Sequence, residues 1–591
     1  MTGRHPTVFS LAHPATDVLG HLFPVAPLTP VTAVTPVTTG LLEIEGLRVS
    51  YRLAGKRRTV VEDIGLTVAP GEVVALVGSS GSGKSTIAQA ILGLLPGTGR
   101  IESGAIRFEG EDILGWPDRR LSALRGARIS LVPQDPAVSL NPVWTIGAQL
   151  AEMFRIHGQS GRIADGVPDL LARVGLPDPR DLAKRYPHEL SGGMRQRVLI
   201  AIAIALHPRL IVADEPTSAL DVTHQRRILD LIDDLRAADR TAMLLVTHDL
   251  GVARDRADRV VILKDGRIVE QGPAAEVLTR PRSPVARRLL ADRACLALPQ
   301  ARAPRDATAT PPGGEPDDAP DDAIVVDRLV HRFAGAPGAP ALDGLSFRVR
   351  RGTTHALVGE SGSGKTTTVR AVMGLLRPDG GRVLINGRDL SALKGRDLRL
   401  ARRDIQLVYQ NPYSSLDPRQ TIGEIIGEPL RNFGLWPQQR QKIAEMTDRV
   451  RLPRDVLPRR PADLSGGQRQ RVAIARALIL SPGILVLDEA VSAQDVSVQA
   501  EILTLLEELQ RDLGLTYLFV SHDLAVVRRI SDSVSVLHRG VPVEAGPTAL
   551  VFDHPVSPFT RELIDAIPGR RPPLRPGPVP AAPIPQEDSV S

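Results

Sequence analysis

The sequence has almost no cysteine, little lysine and no long apolar run, and each shortage narrows what the chain can be. A single cysteine, Cys295, excludes an intramolecular disulfide framework and any metal centre built from clustered thiolates, and it fits a reducing compartment. No uninterrupted apolar stretch reaches the roughly 18 residues needed to cross a bilayer. The longest, Val198 to Leu206, stops at His207-Pro208. The first 41 residues lack the order of basic start, apolar run and small-residue cleavage site that marks a secretory signal. The chain therefore reads as cytosolic, working at a membrane only by docking on something else. Of 73 basic residues 7 are lysine, so a lysine marks a position that needs one.

What is present is a large chain of globular composition. With 591 residues, length alone suggests roughly three to four domains. Hydrophobic residues make up 42% and charged residues 24%, the balance of a soluble globular protein. A net charge of +6 is small for this length; it reads as a solvated basic surface and gives little ground for a nucleic-acid partner.

The organisation is a duplication. GSSGSGKST, beginning at Gly78, recurs as GESGSGKTT at Gly359, 281 residues later. PQDPAVSLNP recurs as YQNPYSSLDP, with Gln134 and Gln410 separated by 276. LSGGMRQR and LSGGQRQR, DEPTSALDVT and DEAVSAQDVS, and the pair THDL and SHDL each repeat at 274. These motifs define an extension over 1–41, a first domain over 42–295, a Pro- and Asp-rich linker over 296–322, a second domain over 323–568 and a Pro-rich tail over 569–591. The extension, linker and tail have compositions that cannot bury a core and are expected to be disordered. For the extension, a translation start set too far upstream is the other reading. Within each copy, short apolar runs at Glu72–Val77, Leu210–Ala213 and Ala242–Val246, and at Thr353–Val358, Ile484–Leu487 and Thr516–Val520, alternate with helical stretches. That alternation predicts an α/β fold with a largely parallel sheet whose ligands sit at the carboxyl ends of the strands.

The chemistry lies at those ends. Gly78, Ser79, Ser80, Gly81, Ser82, Gly83, Lys84, Ser85 and Thr86 match the phosphate-binding loop pattern between a strand and a helix. Gly359, Glu360, Ser361, Gly362, Ser363, Gly364, Lys365, Thr366 and Thr367 match it again. The glycines let backbone N–H groups turn toward a phosphate, and the helix N-terminus adds partial positive charge. Lys84 and Lys365 are placed to reach the β- and γ-phosphates of ATP, and Ser85 and Thr366 to ligate Mg²⁺. Asp214 and Asp488 follow apolar strands and are expected to hold Mg²⁺ through water, with Glu215 and Glu489 polarising the attacking water. An acid at a strand end is otherwise a solvated loop residue, but its pairing with a phosphate loop favours the catalytic role. His248 and His522 are expected beside the γ-phosphate. The amides of Gln134 and Gln410 suit Mg²⁺, and their loops are placed to sense nucleotide. Tyr51 and Phe333 precede the phosphate loops; adenine stacking and core packing are their two competing uses.

With these motifs, LSGGMRQR and LSGGQRQR resemble the signature of ABC ATPases, and the resemblance covers nearly all of both copies. It implies two tandem P-loop ATPase domains, each a mixed, largely parallel sheet with a helical subdomain and a small antiparallel β subdomain. It implies that Ser465, Gly466 and Gly467 complete the ATP site on the first phosphate loop, and that Ser191, Gly192 and Gly193 complete the site on the second, as an intramolecular dimer. SLNPVWTIG (from Ser139), SSLDPRQTIGEIIGEPL (from Ser414) and HPVSPFTRELIDAIP (from His554) narrow the resemblance to the peptide/nickel class of ABC importers, here with both ATPases fused as in glutathione-type importers. The cysteine cluster that many members carry after this last segment is absent. The class implies two transmembrane permease subunits, an extracytoplasmic solute-binding protein, no nucleic acid, and a peripheral place on the cytoplasmic face of the membrane. Peptides, nickel chelates, glutathione and opines are all open as solutes. A soluble ABC ATPase acting on ribosomes or DNA, or an exporter ATPase, are the alternatives; the short acidic linker and the missing cysteine clusters speak against the first. Gln494, standing where the first copy has Leu220, is expected to make the two sites unequal, a tolerated polar substitution being the alternative.

Overall fold

The computed structural model describes residues 40–53, 55–217, 220–297, 322–333, 339–410, 415–435, 439–491 and 495–569. Residues 1–39 of the expected extension, almost all of the linker, most of the Pro-rich tail and Gln494 lie outside the described residues. Leu41, placed in the extension by sequence, is buried in the first copy, its N–H donating to the Val68 carbonyl.

Each copy is built on a six-stranded sheet. In the first, the order is Arg267–Pro273, Arg259–Lys264, Val73–Gly78, Ala242–Thr247, Leu210–Asp214, Ile129–Val132. All neighbours are parallel except the terminal hairpin pair. The second copy repeats this order with Val541–Pro547, Ser533–His538, Thr354–Gly359, Thr516–Val520, Ile484–Asp488 and Ile405–Val408. The central strands are buried throughout and mostly apolar because helices or a second sheet cover both faces, which removes any polar alternation. The strands that lead into the phosphate loops start one residue later than the apolar pattern predicts, at Val73 and Thr354. Their first N–H groups are held by Asp258 and Asp532, at 2.8 and 2.7 Å. A four-stranded antiparallel sheet packs on each core: Leu42–Leu53 between Lys56–Val68 and Gly99–Phe108 in the first copy, and Asp322–His331 between Leu342–Arg350 and Gly380–Ile385 in the second. Helices over Ile146–Ile156, Ile163–Arg173 and Gly192–Ile204, and over Ile422–Asn432, Gln439–Arg449 and Gly466–Leu478, form the helical parts.

The apolar run Val198 to Leu206 lies in the Gly192–Ile204 helix and just beyond it. Val198, Ile200, Ala201 and Ala203 are buried in the core cluster of the first copy. No described helix is long and apolar enough to cross a membrane.

The copies also exchange their ends. The helix Pro284–Ala297, which closes the first copy, packs on helices Val496–Leu513 and Leu524–Ile530 of the second. Asp292 there accepts from the Ser497 hydroxyl. The helix Pro558–Asp565, which closes the second copy, lies against Val222–Asp239 of the first, where Arg226 donates to the Asp565 carbonyl at 3.0 Å and Arg227 pairs with Glu562 at 2.7 Å. Gly569 N–H donates to Asp255 at 2.7 Å. Arg293 ties both exchanges together, pairing with Asp249 and donating to the Pro568 carbonyl at 2.8 Å. Burial acts to raise the Asp249 carboxyl, but Arg293 and the Gly251 N–H outweigh it and hold it below the usual range.

These contacts are unequal in strength. Arg227 and Glu562 are half exposed, so water screens them. Arg293 and Asp249 are about three-quarters covered, and Asp249 has a carboxylate to lose its partner. Arg293→Ala is expected to lower stability by about 2 kcal/mol, and Arg227→Ala to leave it nearly unchanged, both read from denaturant melts. Equal effects would show that the exchanged ends contribute through burial area alone.

Candidate functional site

Each phosphate loop is shaped by close backbone approach. A Cβ on Gly78 would lie 2.4 Å from the Leu263 carbonyl and 2.7 Å from Ser82 Oγ, so only glycine lets the loop turn there. Gly83 and Gly364 open their helices at φ near 102° and 103°, a left-handed conformation that glycine adopts freely. The lysines fold into these loops. Lys84 Nζ donates to the Gly78 and Ser79 carbonyls at 2.9 and 3.1 Å, and Lys365 Nζ to the Gly359 and Glu360 carbonyls at 2.8 and 2.7 Å. Both ammonium groups are buried, and burial lowers their pKa against the pull of the nearby acids. The Ser82 and Ser363 hydroxyls are buried with no hydrogen-bond partner among the described residues. An anion in this cradle would meet turned-in N–H groups and a lysine on a short lead, the fit a nucleotide phosphate requires.

The acid pairs stand beside the loops. The Ser85 hydroxyl donates to Asp214 at 3.3 Å. Glu215 is held from two sides, by Gln134 Nε2 at 3.0 Å and by His248 Nδ1 at 3.1 Å. The second copy repeats the arrangement, with Gln410 Nε2 2.7 Å and His522 Nδ1 3.3 Å from Glu489. Both glutamates take positive φ, 45° and 49°, a strained conformation for a residue with a side chain. Their N–H groups donate to Val246 and Val520 at 2.9 Å, which helps fix that conformation. Burial acts to raise the Glu215 carboxyl, but His248, Lys84 and Gln134 outweigh it and hold it below the usual range. Burial acts to lower His248 and His522, and the glutamates outweigh it, so both sit above the ordinary histidine range.

The aromatic residues part ways. Tyr51 is half-buried on the core, its hydroxyl 3.3 Å from Thr86 Oγ1. Phe333 is 46% exposed and meets His331 edge-on. Ser191 and Ser465 cap the helices they open, accepting from Met194 N–H and Gln468 N–H, each at 3.3 Å. Thr366 has no counterpart of the Ser85 contact to Asp214 among the bonds described.

Two residues outside the expected set join the copies. Asp495 accepts from Ser80 N–H at 2.8 Å and Ser80 Oγ at 3.0 Å. Asp221 accepts from Ser361 N–H at 2.9 Å. Each acid ends the loop after one copy's acid pair and meets the phosphate loop of the other. The signal was in the sequence as the repeated D-V-[ST] after the acid pairs. Between the copies lies a cavity of about 600 Å³ whose wall holds Glu215, His248 and Asp249 of the first and His522 and Asp523 of the second.

The ABC transporter family model matches residues 61–218 and 342–492. The chain is 40% identical over 567 residues to the glutathione import ATP-binding protein GsiA of Escherichia coli (strain K12), with 90% of each chain covered. The protein of the same name from Shigella dysenteriae serotype 1 (strain Sd197) is also 40% identical over 567 residues and 90% of each chain. Among solved structures it is similar to cbiO1 from Clostridium perfringens, at 28% identity and TM-score 0.36 over 40% of this chain and 92% of that one. It is likewise similar to a dimer of the ATP-binding cassette MJ0796 bound to ADP and Pi, at 28% identity and TM-score 0.35 over 38% of this chain and 98% of that one.

Asp488 carries the clearest cost of this site. Burial, with Glu489 beside it, pushes its carboxyl up to about 6, although Lys365 and Arg370 oppose the shift. A raised acid favours folding where it is protonated and opposes it once ionised, so the cost is present above about pH 6 and fades as pH falls toward the ordinary aspartate range. Asp488→Asn is expected to raise the melting temperature of the nucleotide-free chain by a few degrees near neutral pH, about 2 kcal/mol. The gain should shrink as the pH is lowered through about 5. A gain independent of pH would show that packing and not ionisation sets the cost.

Proposed function

The chain belongs to the ABC transporter family, and from that premise we propose that it is the ATP-hydrolysing subunit of an importer. Both nucleotide-binding domains lie in one chain, seated on the cytoplasmic face of the cell membrane and driving uptake through two separate permease subunits. An extracytoplasmic binding protein delivers the solute, a small peptide or peptide-like molecule such as glutathione. The observation that carries the ATPase reading is the same in both copies: a glutamate held by a glutamine and a histidine beside a phosphate loop that the other copy touches. The import reading rests on 40% identity across 90% of the chain to a glutathione import ATP-binding protein.

In this reading the loops from Gly78 and Gly359 hold the phosphates of ATP, with Lys84 and Lys365 leaving their own loop carbonyls to neutralise the terminal phosphate. Mg²⁺ would be held by Ser85, Asp214 and Gln134, and by Thr366, Asp488 and Gln410, and supplies charge neutralisation when bound. Glu215 and Glu489 accept the proton of the attacking water. His248 and His522 hold those carboxylates in place, and the histidine charge stabilises the anionic base. Ser191, Gly192 and Gly193, and Ser465, Gly466 and Gly467, present helix N-termini to the phosphate bound by the other copy. Tyr51 and Phe333 flank the adenine. ATP draws the copies together because it binds their joined arrangement better, and hydrolysis releases them.

The permease has a place to land. Val138, Val143 and Trp144 are exposed just beyond Gln134, and Tyr409 is exposed beside Gln410. Exposed large apolar side chains clustered next to a nucleotide-sensing loop suit a short segment of a membrane subunit.

Glu215→Gln and Glu489→Gln are each expected to keep ATP binding and to cut hydrolysis, by at least ~10²-fold in the double variant. Turnover near the wild-type rate in the double variant would remove the catalytic assignment. Lys84→Ala and Lys365→Ala should weaken nucleotide binding, checked by titration with a fluorescent ATP analogue. Trp144→Glu should reduce copurification with the permease subunits; full retention would move the docking surface elsewhere.

A further inference from the structure

The two loops that cross between the copies are built differently. Asp495 turns both oxygens to Ser80 and gives none to its own helix. Asp221 divides its carboxylate. One oxygen accepts from Ser361 N–H, and the other accepts from His224 N–H at 3.0 Å, His224 Nδ1 at 2.8 Å and the Thr223 hydroxyl at 3.0 Å. The second copy has Val498 where the first has His224, and Ser79 stands in the first phosphate loop where Glu360 stands in the second. The places are equivalent: a Cβ on Gly193 would lie 3.1 Å from His224 Cδ2, and one on Gly467 would lie 2.8 Å from Val498 Cγ1.

We propose that His224 is a positioning residue of the second ATP site, fastening Asp221 onto the phosphate loop of the other copy so that this site is pre-organised and the first is not. The proposal rests on reading the two loops as ATP sites. It follows from a shortage of protons. The Thr223 hydroxyl lies 2.7 Å from Glu360 Oε1 as well as 3.0 Å from Asp221, and it has one hydrogen to give. Two carboxylates from different copies therefore converge on a single donor, and the Asp221 side chain is only 4% exposed. A positive imidazole ring beside them relieves that repulsion. The ring also rests on Gly193, so one side chain links the signature helix of the first copy to the phosphate loop of the second. At the first site the corresponding valine has neither charge nor donor.

The charged groups around the ring are Asp221 on its own loop, Arg227 one turn along its helix, and Glu360 from the other copy, with Lys365 acting on both carboxylates from beyond. Asp221 leads in holding the ring above the ordinary histidine range, burial opposes it, and Glu360 adds to it. A histidine raised in this way contributes fully below its ordinary range and loses its contribution as pH rises through the raised value. The second site should therefore loosen in alkali while the first does not.

The test uses the full chain with Glu215→Gln and Glu489→Gln, so that binding is read without turnover, and a fluorescent ATP analogue as probe. With Lys84→Ala added, only the second loop reports; with Lys365→Ala instead, only the first. At the second loop, His224→Val is expected to weaken binding about fivefold near neutral pH, the scale of one net hydrogen bond. It should also abolish the fall in affinity as the pH rises above the ordinary histidine range. His224→Asn, whose amide can donate to Asp221 but cannot titrate, should restore affinity without restoring the pH dependence. At the first loop His224→Val should change nothing. Equal losses at both loops, unchanged binding at the second, or an Asn variant that keeps the pH dependence would each overturn the proposal. Should the valine variant fail to fold, the asparagine variant's pH profile decides. Wild-type affinity in a chain with both lysines replaced would instead overturn the reading of the loops as ATP sites.

Discussion

A phosphate loop is a cluster of inward N–H groups and one ammonium, and it needs negative charge from somewhere. Most features of the site can be read as answers to that need. The lysines donate to their own loop carbonyls, and the N–H groups of Ser80 and Ser361 donate to an aspartate from the other copy. The phosphate loops are thus part of the interface between the copies, beside the exchanged end helices. Carboxylates of the protein hold places at the rim of an anion site, and their arrangement must adjust when a more highly charged anion arrives. Under the proposed function, ATP would act directly on the interface, because the loops proposed to hold it also carry contacts between the copies.

The acid pairs show the complementary constraint. Four carboxylates lie at the ends of buried strands with only two lysines to face them, and burial raises Asp214 and Asp488. Glu215 escapes that fate because a histidine, a lysine and a glutamine amide converge on it. Glu215 and Glu489 combine a strained positive φ with contacts to a glutamine and a histidine. As the proposed bases they would have to stay ionised. An unneutralised aspartate beside each is a ready seat for a divalent cation.

How much of this was legible in the sequence depends on the range of the interaction. The phosphate loops, acid pairs and histidines were legible because each is a local pattern set by one strand end, and the duplication tested each pattern against its copy. The parallel core followed from apolar runs such as Val73–Gly78, which are buried on both faces and so carry no alternation. The exchange of end helices was not legible: Arg293 and Pro568 meet across 275 residues, and nothing local marks an arginine that will be partly buried against another copy's carbonyl. Asp221 and Asp495 were visible as repeated residues but not as ligands, since their partners Ser361 and Ser80 lie in the opposite copy. Gln494, the odd residue in DEAVSAQDVS, lies outside the described residues. Four residues further on, Val498 against His224 is the difference that touches the network.

Fusion of the copies explains why such a difference can persist. In a symmetric homodimer every change enters both sites at once, so a histidine beside Asp221 would face its own image and both sites would shift together. In one chain each composite site draws its phosphate loop and its crossing aspartate from different copies, and each loop is free to vary alone. Glu360 and His224 illustrate the coupling that results: they lie 136 residues apart, in different copies, yet the acid makes the imidazole's charge favourable and the imidazole makes the acid tolerable. Neither substitution is understandable by itself. The pair makes sense only as a contact between halves, which places this asymmetry at the interface between the copies.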